Sequence, residues 1–137
     1  MADRDFLDTN VLLYSLNDSA PMKHRVAQKL VARAIAGEFA ISTQVLAELA
    51  AVVLKKFADR ITPRDLVAFL DTLGPIPLIK PDGEMVRRAV EACAAYGIHF
   101  YDAMIVAAAE RGGAGTIWSE DLSPGQVYFG VTVANPF

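Results

Sequence analysis

The sequence predicts an α/β sandwich built on a mostly parallel sheet. Three observations carry that expectation. Short apolar runs, of strand length, alternate with longer helical stretches along the whole chain. Glycine, proline, serine, threonine and aspartate punctuate the boundaries between them. Hydrophobic residues make up 53% of the chain and charged residues only 21%, enough to fill a core and too apolar for a disordered segment. With 137 residues, one domain spanning residues 1–137 is expected.

The elements follow in order. Asp3 to Leu7 reads as a short buried strand, closed by the polar cluster Asp8, Thr9 and Asn10. Asp18, Ser19 and Pro21 mark a turn and a helix start, and residues 22–36 are helical up to Gly37. Phe39 to Ile41 is a second strand. Ser42 or Thr43 caps the next helix, which runs to about Ala58. Thr62 as N-cap and Pro63 at the first helical position begin another, ended by Gly74-Pro75. Ile76 to Ile79 is a third strand. Pro81-Asp82 opens a helix that closes at Gly97. Phe100 to Arg111 is rich in alanine and helical up to Gly112-Gly113. Thr116 to Trp118 is a fourth strand, and Val127 to Val133 is a weaker β segment broken by Gly130.

No apolar stretch approaches the roughly 18 residues that span a bilayer, so no membrane association is expected. The start MADRDF has no basic patch followed by an apolar run, so no signal peptide is expected either. Cys93 is the only cysteine, which rules out an internal disulfide and suits a reducing, cytoplasmic setting. The formal charge is −3. Proteins that hold nucleic acid by phosphate neutralisation are usually basic. Contact with nucleic acid here requires a local device, and a bound divalent cation is one.

Four carboxylates stand in sequence that otherwise looks like core. Asp8 follows the first strand and Asp121 the fourth. Asp102 sits in the first turn of an apolar helix, and Glu48 borders the apolar face of the helix after the second strand. In parallel sheets, functional groups gather beyond the carboxyl ends of the strands. Several acids together repel, and no basic residue adjoins them in sequence. A hard cation with oxygen ligands, Mg²⁺ or Mn²⁺, relieves the repulsion.

Each acid also has a purely structural reading. Asp8 caps a helix beginning near Val11. Asp102 is a first-turn acid favoured by the helix dipole. Glu48 occupies a solvated helix edge, and Asp121 is a turn residue ahead of Ser123, Pro124 and Gly125. Their joint placement near strand ends favours function.

With these segments assembled, the sequence resembles the PIN domain family, and most closely the VapC-type toxins of bacterial and archaeal toxin–antitoxin modules. The matching stretches are FLDTNVLLY, ISTQVLAEL, FYDAMIVAAA and IWSEDL, in that order. The resemblance implies a three-layer α/β/α sandwich around a parallel sheet of four or five strands. It implies a metal-dependent endoribonuclease using one or two Mg²⁺ or Mn²⁺ ions. The family's acidic quartet falls on Asp8, Glu48, Asp102 and Asp121, of which Asp8, Asp102 and Asp121 are the expected metal ligands. Ser119 falls on the small polar residue that supports the last acid, and Thr9 and Asn10 on the polar pair after the first. Glu120 is an additional acid in the last motif, with contact to metal left open. The resemblance further implies a homodimer and a cognate antitoxin whose tail occupies the groove of the site.

Metal-activated water attacking RNA phosphodiesters would leave 5′-phosphate and 3′-hydroxyl ends. Arg25, Lys29 and Arg33 recur every four residues on one helix, as a solvated face or as a contact for RNA or a partner. His99 reads as a capping or packing residue, His24 as exposed, and Tyr101 and Phe100 as core aromatics rather than base-stacking ones. The segments Ala47 to Leu54 and Ile105 to Ala109 offer dimer surface as well as core.

Other readings stay open. A PIN-like nuclease without a toxin role is one, and a non-catalytic cation-binding interaction module is another. A phosphotransferase with Asp8 as nucleophile normally has a second Asp two residues on, where this chain has Asn10.

Overall fold

A computed structural model describes residues 4–137. The elements are β1 (Asp5–Leu7), α1 (Thr9–Leu16), α2 (Pro21–Ile35), β2 (Phe39–Ser42), α3 (Thr43–Lys56), α4 (Pro63–Thr72), β3 (Leu78–Ile79), α5 (Gly83–Tyr96), α6 (Phe100–Arg111), β4 (Thr116–Trp118), β5 (Val127–Tyr128) and β6 (Val131–Ala134). Asp3, placed in the first strand by sequence, lies outside the described residues.

The strands form one sheet in the order β3-β2-β1-β4-β6-β5. Every pairing is parallel except that of β5 with β6. The sheet therefore has six strands, not the four or five expected. The extra strand comes from the segment 127–133, which folds back on itself. Phe129 (φ 49°) and Gly130 (φ 80°) both adopt left-handed backbone, the signature of a tight hairpin turn. Glycine accepts that conformation freely, and Phe129 is held in it by packing. Arg88 lies over its ring at 3.5 Å, and the Tyr96 hydroxyl accepts its N–H. The third strand is shorter than expected. Pro77 has no N–H to give the ladder, and the Ile76 N–H is spent on the Leu73 carbonyl.

The helix starts obey their sequence signals. Ser42 accepts from the Val45 N–H, Asp82 from the Met85 N–H, and Thr62 with Asp65 closes a reciprocal capping box. Gly97, left-handed at φ 65°, ends α5.

The strand order places the site. From β1 the chain moves outward to β2 and β3, then returns across the sheet to β4 on the other side of β1. Right-handed crossovers in opposite directions put α1–α4 on one face and α5–α6 on the other. The helix contacts agree: α1 packs on α2 and α3, α3 on α4, and α5 on α6. The switch point, between the carboxyl ends of β1 and β4, is where such sheets open a crevice.

Phe6, Leu7, Val11, Leu12, Ile41, Val45, Leu49, Val106, Ile117 and Val133 fill the interior. Ala103 to Ala109 of α6 are all buried, and the four alanines among them let the helix lie close against the sheet. The expectation that 105–109 forms dimer surface is therefore corrected, since that stretch is spent within the chain. Ala47, Ala51 and Leu54 of α3 do face outward.

Candidate active site

Asp8 sits immediately beyond β1 and is the N-cap of α1, so its structural and functional readings coincide in one residue. Its Oδ1 accepts the Thr9 N–H at 2.7 Å, and its Oδ2 accepts the Ser119 hydroxyl at 2.8 Å. The residue is only 7% exposed. Burial pushes its pKa up to about 6, the two hydrogen bonds oppose the rise, and the charges of Glu48 and Asp121 add to it.

Ser119 follows β4, whose Trp118 registers with Leu7 of β1, so strand pairing alone brings Ser119 beside Asp8. Its oxygen receives the N–H groups of Asp121 (3.1 Å) and Leu122 (3.3 Å) and the Asn10 amide (3.2 Å). With its lone pairs so occupied, the hydroxyl's single hydrogen is committed to Asp8. Asn10 joins the two strand ends a second time. Its Nδ2 donates to Asp121 Oδ2 at 3.2 Å, and its Oδ1 accepts the Glu120 N–H at 3.1 Å.

Glu48 comes from α3. Thr9 donates its hydroxyl to Oε2 at 3.1 Å, and Gln44, one turn earlier, donates to Oε1 at 2.6 Å. Asp102 stands at the exposed rim in the first turn of α6. Desolvation raises its pKa first and the charge of Glu48 next; His99 lowers it, and Asp121 raises it slightly. Thr9 links Asp8 to Glu48, Ser119 and Asn10 link the ends of β1 and β4 at Asp8 and Asp121, and Gln44 ties Glu48 to the Tyr101 carbonyl beside Asp102, so the four acids surround one region of the switch-point crevice. Thr9, Asn10 and Ser119, the expected supporting residues, knit it together.

Glu120 does not belong to that cluster. Lys23 reaches its Oε2 at 2.7 Å and the Tyr14 hydroxyl its Oε1 at 2.9 Å, and the lysine bond holds its carboxyl below its usual range. Among the described residues the ion pairs are Lys23–Glu120, Arg33–Glu38, Arg88–Glu91, Arg88–Glu110 and Arg111–Asp82. The acids of the cluster have no basic partner in that set.

Arg25, Lys29 and Arg33 are exposed along α2, as their spacing implies. Arg33 is engaged with Glu38 and lies over the Phe39 ring. Two aromatic and histidine expectations are corrected. Tyr101 is not core: it is 68% exposed, because its position in the first turn of α6 points away from the sheet. His24 is not freely exposed, for its Nδ1 lies 2.8 Å from the Tyr14 carbonyl. His99 is the N-cap of α6 but makes no side-chain capping bond. Sequence reasoning passed over Gln44, which the spacing of four residues before Glu48 signals.

The oxygen-only donors suit a hard divalent cation, and a buried carboxylate pushed to a pKa of about 6 by burial and by neighbouring acids is what such an ion would relieve. Among the described residues, no three His, Cys, Asp or Glu side chains are arranged to enclose an ion. The carboxylates are instead turned toward Ser119, Thr9, Asn10 and Gln44. Mg²⁺ prefers one or two direct carboxylates and several waters, so the donor set fits without a closed cage.

The PIN domain family model matches residues 6–129. The chain belongs to the PIN domain family. No curated protein matches it in sequence. PIN-like structures do match in fold. A chain of a toxin–antitoxin complex from Klebsiella pneumoniae superposes with a TM-score of 0.71 at 20% identity, over 97% of this chain and 98% of that one. VapC20 of Mycobacterium tuberculosis, a toxin that cleaves the sarcin–ricin loop, gives 0.66 at 19% identity, over 85% and 88%. A chain of VapBC2 from Rickettsia felis, solved on a promoter DNA fragment, gives 0.67 at 21% identity, over 95% and 96%. At these identities the likeness speaks for the PIN fold, and the switch-point crevice is part of that fold.

Proposed function

We propose that this PIN domain is a divalent-metal-dependent endoribonuclease, the toxin of a VapC-type toxin–antitoxin pair. The observation that carries the reading is the cluster of Asp8, Glu48, Asp102 and Asp121 at the switch point, without a basic partner among the described ion pairs. The toxin–antitoxin origin of the similar structures supports the role.

Asp8, Asp102 and Asp121 would hold Mg²⁺ or Mn²⁺, with Glu48 beside them. Bound there, the ion supplies a water of lowered pKa and neutralises phosphate charge. The chain's own groups do the positioning. Ser119 and the Thr9 N–H fix both oxygens of Asp8, and Asn10 holds Asp121. Thr9 and Gln44 fix both oxygens of Glu48, which leaves it oriented to accept a proton from an attacking water. Without metal the acid cluster repels RNA, and a bound divalent ion there would reverse the local charge, which reconciles an RNA substrate with a chain of net charge −3.

The partners proposed are RNA as substrate, a cognate antitoxin, and a second copy of the chain in a homodimer, with the cytoplasm as the compartment. The test is direct. Protein purified free of antitoxin cuts single-stranded RNA with Mg²⁺ or Mn²⁺ to 5′-phosphate and 3′-hydroxyl ends, and EDTA stops it. Asp8→Asn abolishes cutting while the circular dichroism spectrum is kept. Full cleavage in EDTA would refute the metal role.

A further inference from the structure

Beside the acids lies a shallow apolar cleft of about 340 Å³, lined by Gln44, Ala47, Glu48, Ala51 and Tyr101. Its floor is the outward face of α3, where the alanines present only methyl groups. Its wall is Tyr101. The Phe100 ring meets it edge-on, with centroids 5.3 Å apart and the ring planes at 72°. The Tyr101 carbonyl accepts from Gln44 Nε2 at 2.9 Å, and the same amide nitrogen holds Glu48 at 2.6 Å. One side chain thus ties the Tyr101 backbone to the acid cluster.

We propose that this cleft receives a nucleobase next to the scissile phosphate, stacked on Tyr101, and that Tyr101 is a substrate-positioning residue of the site. The inference rests on the ribonuclease reading above. Glu48 lines the cleft and belongs to the acid cluster, so an RNA phosphate held at the acids puts an adjoining base within reach of the wall. Such a base needs a flat apolar surface free of charge, which Ala47, Ala51 and the tyrosine ring offer. The Tyr101 hydroxyl has no hydrogen-bond partner among the described residues, and the ring is 68% exposed, so the fold does not require it. Stacking of a single base on an aromatic side chain is sequence-tolerant and strong enough to set KM.

The cleavage position is first read by sequencing the ends that the wild type produces. A short single-stranded RNA then carries 2-aminopurine beside that phosphate. On mixing with wild type and Mg²⁺, stacking quenches its fluorescence before cleavage. Tyr101→Phe behaves as wild type. Tyr101→Ala loses the quench and raises KM by about ten-fold or more, with a smaller effect on kcat. A substrate lacking the base at that position abolishes the difference between wild type and Tyr101→Ala. Because the residue is exposed, the melting temperature stays put. Equal KM and equal quenching in wild type and Tyr101→Ala would overturn the inference, leave the ribonuclease reading standing, and assign the cleft to a protein partner. Absence of RNA cleavage by the wild type would instead refute the ribonuclease reading, and this inference with it.

Discussion

Ser119 gives its one hydroxyl hydrogen to Asp8 Oδ2 at 2.8 Å, across the junction of β1 and β4. The serine is fully buried, and the same oxygen collects the N–H groups of Asp121 and Leu122. Its replacement by alanine removes an acceptor from two backbone donors and a donor from a buried carboxylate. Ser119→Ala is expected to destabilise the fold by about 1–3 kcal/mol, read from urea unfolding at neutral pH. Cleavage falls too, because Asp8 and Asp121 lose the group that orients both. Unchanged stability would show that the junction is held by strand pairing alone.

The raised pKa of Asp8 makes a prediction about metal-free protein. The folded value is about 6 against an ordinary 3.8, so the fold binds the proton more tightly than the unfolded chain does. The contribution of Asp8 to stability is therefore fully present below pH 4 and is lost as pH rises through 6. The full span corresponds to about 3 kcal/mol. Asp102 shifts in the same direction. Glu120 and Asp82 shift downward from 4.5 and 3.8, so their opposite contribution is lost only as pH falls through and below those values, under the interval from pH 7 to pH 5. In EDTA the melting temperature should climb between pH 7 and pH 5. The climb should flatten in Asp8→Asn, which carries no titrating group there.

Gln44 holds both Glu48 and the Tyr101 backbone. Gln44→Ala frees both, and cleavage is expected to fall about 10- to 100-fold, in the range typical of groups that orient a metal-site carboxylate. Because Gln44 lies on the helix surface, circular dichroism should not change. Gln44→Glu puts a second negative charge against Glu48 and should lose more activity than the alanine variant.

Glu120 tests the boundary of the site. Its carboxylate is paired with Lys23 and Tyr14, away from the other acids. Glu120→Gln should leave metal-dependent cleavage and its Mn²⁺ dependence at the wild-type level. A shift of the Mn²⁺ requirement would bring Glu120 into the metal site.

Much of the fold could be read from the residues. Helix boundaries were set by local chemistry, and Ser42, Thr62, Asp82 and Gly97 each end or begin a helix where their side chains or backbone freedom dictate. The sixth strand was not readable, because β5 has two residues and its turn depends on a phenylalanine in left-handed backbone. Arg88 and Tyr96, distant in sequence, help to hold it there. The acids themselves stood out as polar residues in apolar surroundings. What holds them did not, apart from Thr9, Asn10 and Ser119, since the Gln44–Tyr101 link joins elements 57 residues apart. The outward turn of Tyr101 was likewise hidden. An aromatic in an apolar helix looks like core until the packing shows which part of the first turn faces the sheet.

The central claim is that the acid cluster binds a divalent ion through Asp8, Asp102 and Asp121. Thermal unfolding of EDTA-stripped protein at pH 7, with increasing Mn²⁺, tests it most directly. Binding to the folded state alone adds about RT ln(1 + [L]/Kd), or about 2.7 kcal/mol at a hundred times Kd. The account predicts a saturable rise in melting temperature for the wild type and its loss in both Asp8→Asn and Asp102→Asn. An equal rise in all three proteins, or none in the wild type, would contradict it.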